Sequence, residues 1–270
     1  MKQVLTALIA VFLVASPTLA ADTSAASLRA TLAPTGTLRA AFLGANPVQG
    51  RVDPTTGAIT GPVADLVQEL AKQLGVPFQI LPAPDARGVI GHLNDGSADI
   101  GFLAYEASRA EEVDFAGPYA NMHNSYVVAE GSPLKQSKDV DRTGLIVGVV
   151  KGQTQELFVS SHMTQARVRV FDRQPPQAEL ETLFKNGEVT AFGVNRQRAL
   201  ELDMASAELR SLPDSFLEVV QEFVVRKGDQ QKRAALDGFA AQMRSSGFVK
   251  ASLEKAGLHE AASVAPGDAH

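Results

Sequence analysis

The chain has 270 residues, 45% hydrophobic and 20% charged, which is the composition of a globular protein rather than a disordered or fibrous one. It has no Cys, which excludes a disulfide framework, a thiol nucleophile and a Cys-based zinc site. The 30 acidic residues outnumber 25 scattered basic ones, Trp is absent and Tyr numbers 3, so neither nucleic acid nor a membrane surface is an expected partner.

Met1 to Ala20 reads as a secretory signal. Lys2 gives the positive start, Val4 to Val14 is almost wholly apolar, and Thr18-Leu19-Ala20 places small residues before a cut near Ala20. No other stretch approaches the roughly 20 apolar residues of a membrane helix. With no Cys at the cut to carry a lipid, the mature chain is expected free in a Gram-negative periplasm.

Residues 21–34 are small and polar and are expected to be a frayed lead-in. Thr37 to Phe42 predicts a buried strand, and Gly61-Pro62 opens a helix with Val63, Leu66, Val67, Leu70 and Leu74 on one face, ended by Gly75. A strand from Phe78 to Leu81, a helix from Gly88 to Leu93 and a strand from Ala98 to Leu103 follow. A second run starts at Ser125 to Ala129 and continues with strand Leu145 to Val150, helix Thr154 to Ser160 and strand Arg167 to Phe171. Helix Gln177 to Lys185 and strand Val189 to Val194 complete it. Gly144, Gly148 and Gly152 read as a strand flanked by turns rather than a membrane-helix seam. The last elements are a strand from Glu222 to Arg226 and helices from Gln230 to Arg244 and Phe248 to Ala256; residues 259–270 are expected to be disordered. The alternation predicts an α/β fold, and two halves of about 90 residues suggest two lobes.

In this order the residues resemble a family, the periplasmic solute-binding proteins of the polar-amino-acid ABC transporter class (bacterial extracellular solute-binding proteins, family 3). The pieces in the first half are Gly36-Thr37-Leu38-Arg39, Gly61 with Asp65-Leu66, Ala71-Lys72-Gln73-Leu74-Gly75, Leu93, Gly96, Asp99, Arg109, Val113-Asp114-Phe115 and Pro118-Tyr119. In the second half they are Val147-Gly148-Val149, Lys151-Gly152, Asn186-Gly187 with Val189, and Val225-Arg226-Lys227-Gly228-Asp229. The resemblance implies a two-lobed type II periplasmic-binding-protein fold with two crossing hinge strands, near Tyr119 to His123 and Val219 to Glu222. It places residues 34–120 with 223–258 in lobe 1 and 124–218 in lobe 2, with the ligand in the cleft between them. Closure on a small-molecule ligand would present it to an ABC transporter permease. A monomer without a metal or cofactor is expected.

The resemblance also implies that Arg109 grips the solute's carboxylate, with a planar fork of donors matching its two oxygens. Taken alone, without the resemblance, Arg109 reads more readily as a surface residue paired with Glu106, Glu111 or Glu112. Lys151-Gly152-Gln153-Thr154 should turn into a helix whose first N–H groups and Thr154 hydroxyl meet an anionic group, or where Thr154 simply caps the helix. Asn46 stands where the family has an aromatic platform, so Asn46 and Gln49 could hydrogen-bond instead. Ala104 replaces a Thr, and Asn195 replaces the acid that holds an α-ammonium. A neutral amide cannot neutralise an ammonium, so a standard α-amino acid is less favoured, and the expected solute is small, polar and carboxylate-bearing, an amino acid or a related organic anion.

No Gly-x-Ser-x-Gly, phosphate-binding Gly loop or His-Glu-x-x-His helix occurs. The alternative reading is an enzyme of the cyclohexadienyl dehydratase type, which resembles the same family and would use Glu106 as its proton-transfer acid. A sensor module would need a membrane helix and a signalling domain. A binder presenting its solute to a different receptor is a further alternative.

Overall fold

The computed structural model describes residues 18–44 and 46–267. All but the last three residues of the expected signal segment therefore lie outside the described residues. The chain opens with α1 (Thr18–Leu32), then β1 (Leu38–Leu43), a small hairpin of β2 (Arg51–Val52) and β3 (Ile59–Thr60), and α2 (Pro62–Leu74). Pro62 occupies the first turn of α2, where its missing N–H has no intrahelical acceptor anyway. Val63, Leu66, Val67, Leu70 and Leu74 form the buried stripe. Gly75, at φ 65°, closes the helix by donating to the Ala71 and Lys72 carbonyls. β4 (Phe78–Ala83), α3 (Ala86–Asn94), β5 (Ile100–Ala104) and the single turn α4 (Ala107–Ala110) complete the first run. Every residue of β5 is buried, as expected for a strand with helices on both faces.

β6 (Val113–Ala129) leads into the second run: β7 (Ile146–Val150), α5 (Thr154–His162), β8 (Arg167–Phe171), α6 (Gln177–Lys185), β9 (Ala191–Asn195), α7 (Arg196–Ala205) and β10 (Leu209–Ser211). β11 (Leu217–Arg226) returns to the first half, where α8 (Gln230–Ser245), α9 (Phe248–Lys255) and β12 (Ala262–Val264) follow.

The strand order β4-β1-β5-β11-β6-β9-β7-β8 resolves into two copies of one pattern. β4, β1 and β5 are parallel with β1 central, and β8, β7 and β9 repeat this with β7 central. Each trio is flanked by an antiparallel long strand, β11 in the first half and β6 in the second. β6 and β11 pair with each other from Val113↔Arg226 to Asn124↔Leu217 and so run between the halves as crossing strands. The register slips on either side of Glu222 in the expected hinge region. Buried apolar side chains divide the same way. Two clusters, one around Phe42, Leu66, Phe102 and Phe223 and one around Val89, Leu103 and Val224, belong to the first half. Two more, around Val127, Leu180 and Phe192 and around Tyr126, Val147 and Val149, belong to the second. Both faces of each sheet are therefore covered.

Besides the unforeseen β2–β3 hairpin, α4 and β10, and a β6 that begins at Val113 rather than Ser125, three segments differ from the sequence expectation. Residues expected to be frayed form α1, because Leu32 and Ala33 are buried in the core and the Arg29 Nε donates to the Leu74 carbonyl at 2.8 Å. In the tail expected to be disordered, Ala262 to Val264 pair with Met122 to Ala120 of β6, and the Ala265 N–H bonds to the Tyr119 carbonyl at 3.1 Å. That edge of β6 is left open where β9 stops, at Asn124, and the tail fills it. Helix α7 was not anticipated, since only Ala199 and Leu202 of its ten residues are buried and its apolar pattern is correspondingly thin.

Some residues that carry the family resemblance are structural. Arg39 forks onto Asp99, Nη2 to Oδ1 at 2.7 Å and Nε to Oδ2 at 3.0 Å, joining β1 to the turn before β5. Asp114 accepts from the Gly228 N–H at 2.8 Å and pairs with Lys227, fixing the ends of the crossing strands. Gly148 must lack a side chain, because a Cβ there would lie 2.4 Å from the Phe192 ring.

Candidate functional site

In open α/β sheets, ligands sit beyond the carboxyl ends of the strands where the strand order reverses. Here those ends are Leu43, Ala104, Val150 and Asn195, and each expected site residue lies at or just after one of them. After β5 the backbone turns through α4, which aims Arg109 back across Ala104. The guanidinium is 7% exposed. Its Nη1 donates to the Ala104 carbonyl at 2.9 Å, and its Nη2 donates to the Gly152 carbonyl of the second half at 3.3 Å. Ala104 thus contributes its backbone oxygen, not a side chain. The ion pairs among the described residues do not include Arg109; burial pushes its pKa down, and Glu106 is the carboxylate whose charge opposes that.

Thr154 opens α5 and is buried. It does not cap its own helix. Its side chain lies by the Glu106 carboxylate of the first half and favours that group's charged form. Burial raises the Glu106 pKa, against the lowering effects of Arg109 and Thr154. Gln153 is exposed at the N-cap position and makes no side-chain cap bond. Arg109, Ala104, Gly152, Glu106 and Thr154 therefore form one junction between the halves.

Asn46 and Asn195 are occupied elsewhere. The Asn46 Oδ1 accepts from the Val48 N–H at 3.1 Å and its Nδ2 faces the Met122 sulfur at 4.0 Å. Asn195 caps α7, its Oδ1 accepting from the Arg198 N–H at 2.8 Å. Gln49 is fully buried, with its Oε1 accepting from the Leu43 N–H at 3.0 Å and its Nε2 donating to Gln221 Oε1 at 3.0 Å, so its amide holds the fold.

Sequence reasoning missed a second amide bridge of the same kind. Gln155 Nε2 donates to Asn124 Oδ1 at 2.6 Å, and Asn124 Nδ2 donates to the Leu217 carbonyl at 3.0 Å. Each half is thus tied to a crossing strand by one buried amide pair, Gln49–Gln221 to β11 and Gln155–Asn124 to β6. Only the placement of polar residues inside apolar strands hinted at this. The Arg51–Glu201 ion pair, from the β2–β3 hairpin to α7, joins the halves at the surface and had no local signal.

Beside the junction lies a pocket of about 320 Å³ between α5 and β11, lined by apolar Leu157, Phe158, Leu217, Val219 and Val220, by Tyr105, and by polar Glu106, Thr154, Ser161, His162 and Glu218. Phe158 stacks on His162 at 4.2 Å between ring centroids. Among the described residues no group of three or more His, Asp or Glu is placed to hold a metal, and no helix is long and apolar enough to cross a membrane.

The family model for bacterial extracellular solute-binding proteins, family 3, matches residues 38–259. The chain belongs to this family. Among curated relatives, it is 25% identical over 202 residues to the L-cystine-binding protein TcyJ of Escherichia coli (strain K12), covering 74% of each chain. Among solved structures, a variant of ArgBP from T. maritima matches with a TM-score of 0.67 at 23% identity, over 84% of this chain and 98% of that one. The ancestral amino acid-binding protein AncCDT-1, described as a precursor of cyclohexadienyl dehydratase, matches with a TM-score of 0.68 at 24% identity, over 85% and 98%. A binding component of an ABC transporter from Wolinella succinogenes, complexed with lysine, matches with a TM-score of 0.68 at 24% identity, over 82% and 95%. These likenesses establish the two-lobed type II fold with its two crossing strands.

Proposed function

We propose that this family member is the periplasmic binding component of an ABC importer, closing its two lobes on a small carboxylate-bearing solute, an amino acid or a related organic anion. In this reading residues 34–120 with 223–258 form lobe 1, residues 124–218 form lobe 2, and the mature monomer begins after a signal removed near Ala20. The observation that carries the reading is Arg109, a buried cation outside every ion pair of the described residues. It uses two N–H groups on carbonyls from opposite halves. A buried guanidinium with donors to spare is stabilised most by an anion, and a carboxylate matches its fork. The cystine, arginine and lysine ligands in the names of similar proteins support a carboxylate-bearing guest.

Solute would bind one lobe first, and hinge rotation about β6 and β11 would bring the second lobe onto it, so that contacts to both lobes favour the closed form. The test is a thermal-shift screen of small metabolites followed by calorimetry on the Arg109→Ala variant. Binding should weaken at least about tenfold, or ~1.4 kcal/mol. Unchanged affinity would remove Arg109 from the site.

One observation favours a second reading, a dehydratase of the cyclohexadienyl type. Glu106 is a carboxyl group in the cleft whose pKa is raised by burial, as a general acid requires. Spectrophotometric assay with prephenate and arogenate separates the two, and no turnover is expected.

A further inference from the structure

The acid that would balance a solute's ammonium is missing after β9, where Asn195 caps a helix instead. A carboxylate stands at the opposite side of the junction. Glu106 lies at the N-cap position of α4, yet its side chain caps nothing there; it lines the pocket together with Thr154 of the other half. In the 320 Å³ pocket the apolar residues are joined by Ser161, His162 and a second carboxylate, Glu218, and no Lys or Arg lines it. Arg109 sits one helical turn away and its own N–H bonds to the Glu106 carbonyl at 3.0 Å, so the two charged groups are held by the same turn.

We propose that Glu106 is a specificity-determining residue that binds the ammonium of an α-amino acid, whose carboxylate Arg109 takes and whose side chain lies in the pocket against Leu157, Phe158 and Val219. This rests on the reading of the cleft as a solute site. A carboxylate and a guanidinium carried on one turn, close enough for each charge to act on the other, present opposite charges that match a zwitterion and not a dicarboxylate. A half-buried carboxylate that caps no helix and faces a pocket is incompletely solvated, which burial's upward push on its pKa also reports. An ammonium would complete that shell with charge-assisted bonds. Thr154, which lines the same pocket from the other lobe, would make the contact dependent on closure.

The experiment is calorimetry of the mature protein against the twenty standard L-amino acids, L-cystine and succinate. It is repeated with the 2-hydroxy-acid counterpart of each amino acid that binds, which keeps the carboxylate and lacks the ammonium. Wild type should prefer the amino acid at least about 50-fold, and Glu106→Gln should cut that preference at least about tenfold, with hydroxy-acid affinity holding or rising because a carboxylate no longer opposes the anion. Asn195→Ala should leave the preference intact. Full preference retained in Glu106→Gln, or binding of succinate without any amino acid, overturns the assignment. If Arg109→Ala abolishes binding while Glu106→Gln does nothing, only the role of Glu106 falls. If no probe binds wild type, the solute-site reading falls with it.

Discussion

Glu222 sits between the two register slips of the crossing strands, 1% exposed, with a pKa pushed up to about 8. Burial is the main cause, the neighbouring Asp237 carboxylate adds to it and Arg233 opposes it. A carboxyl whose folded pKa lies above its unfolded value keeps its proton in the native state while the unfolded chain releases it. Stability is therefore fully present below the unfolded value and falls as pH rises through the folded one. Glu222→Gln should match wild type at about pH 5 and exceed it by about 2 kcal/mol at about pH 9 in denaturant titrations, because the amide has no proton to lose. The same location at the slip makes Glu222 a natural place for the hinge to feel charge. Nothing in its local sequence announces this, since a Glu in the run Val220-Gln221-Glu222-Phe223 reads as the exposed position of an alternating strand. By contrast, Arg109 was legible, through its place in a chain-long pattern, whereas its two carbonyl partners were not.

At the scale of elements, the parallel trios were readable because fully buried strands leave continuous apolar runs such as Ile100 to Leu103, and because Gly75 and Pro62 mark the ends of α2. The tail was not. Residues 259–265 have the small, polar composition of disorder, and only the open edge of β6 gives them a place to pair. Removing residues 261–270 should expose Ala120 and Met122 and strip the bonds to His123, Tyr119 and the 120–122 segment. With net hydrogen-bond contributions of about 1 kcal/mol each, the expected loss is about 2 to 4 kcal/mol. Thermal unfolding measures it. An unchanged midpoint would mean that β12 adds nothing to stability.

Across the whole molecule, the halves meet through the Arg109 to Gly152 bond and the Arg51–Glu201 pair, with Thr154 set against Glu106 at the junction. Glu201 is held below the usual carboxylate range by its bonds from Arg51 and Gln197 and by the charges of Arg51 and Arg198, which together outweigh burial. The pair lies at the rim, away from the junction, so it bears on how readily the lobes stay closed rather than on what they hold. Glu201→Gln should weaken solute binding about two- to fivefold at low salt, the ~0.5 to 1 kcal/mol of an exposed ion pair, with the difference fading in about 0.5 M salt. Calorimetry at two ionic strengths tests this; an effect independent of salt would exclude an electrostatic latch. The crossing strands themselves were placed by resemblance near Tyr119 and Val219, and the register Val219↔Met122 to Gln221↔Ala120 runs through that region.

The sequence by itself determined the α/β class, the order of strands and helices and the family, because burial on both faces and the ends of helices are written in short-range patterns of apolar residues, Gly and Pro. Tertiary structure alone decided which polar groups meet. Arg109 finds Gly152, Thr154 finds Glu106, Gln155 finds Asn124 and the tail finds β6, each across a separation in the chain that no local pattern spans. The physical reason is that hydrophobic burial is non-directional and tolerates many sequences, whereas a hydrogen bond requires two particular atoms within about 3 Å, a condition only the folded chain fixes.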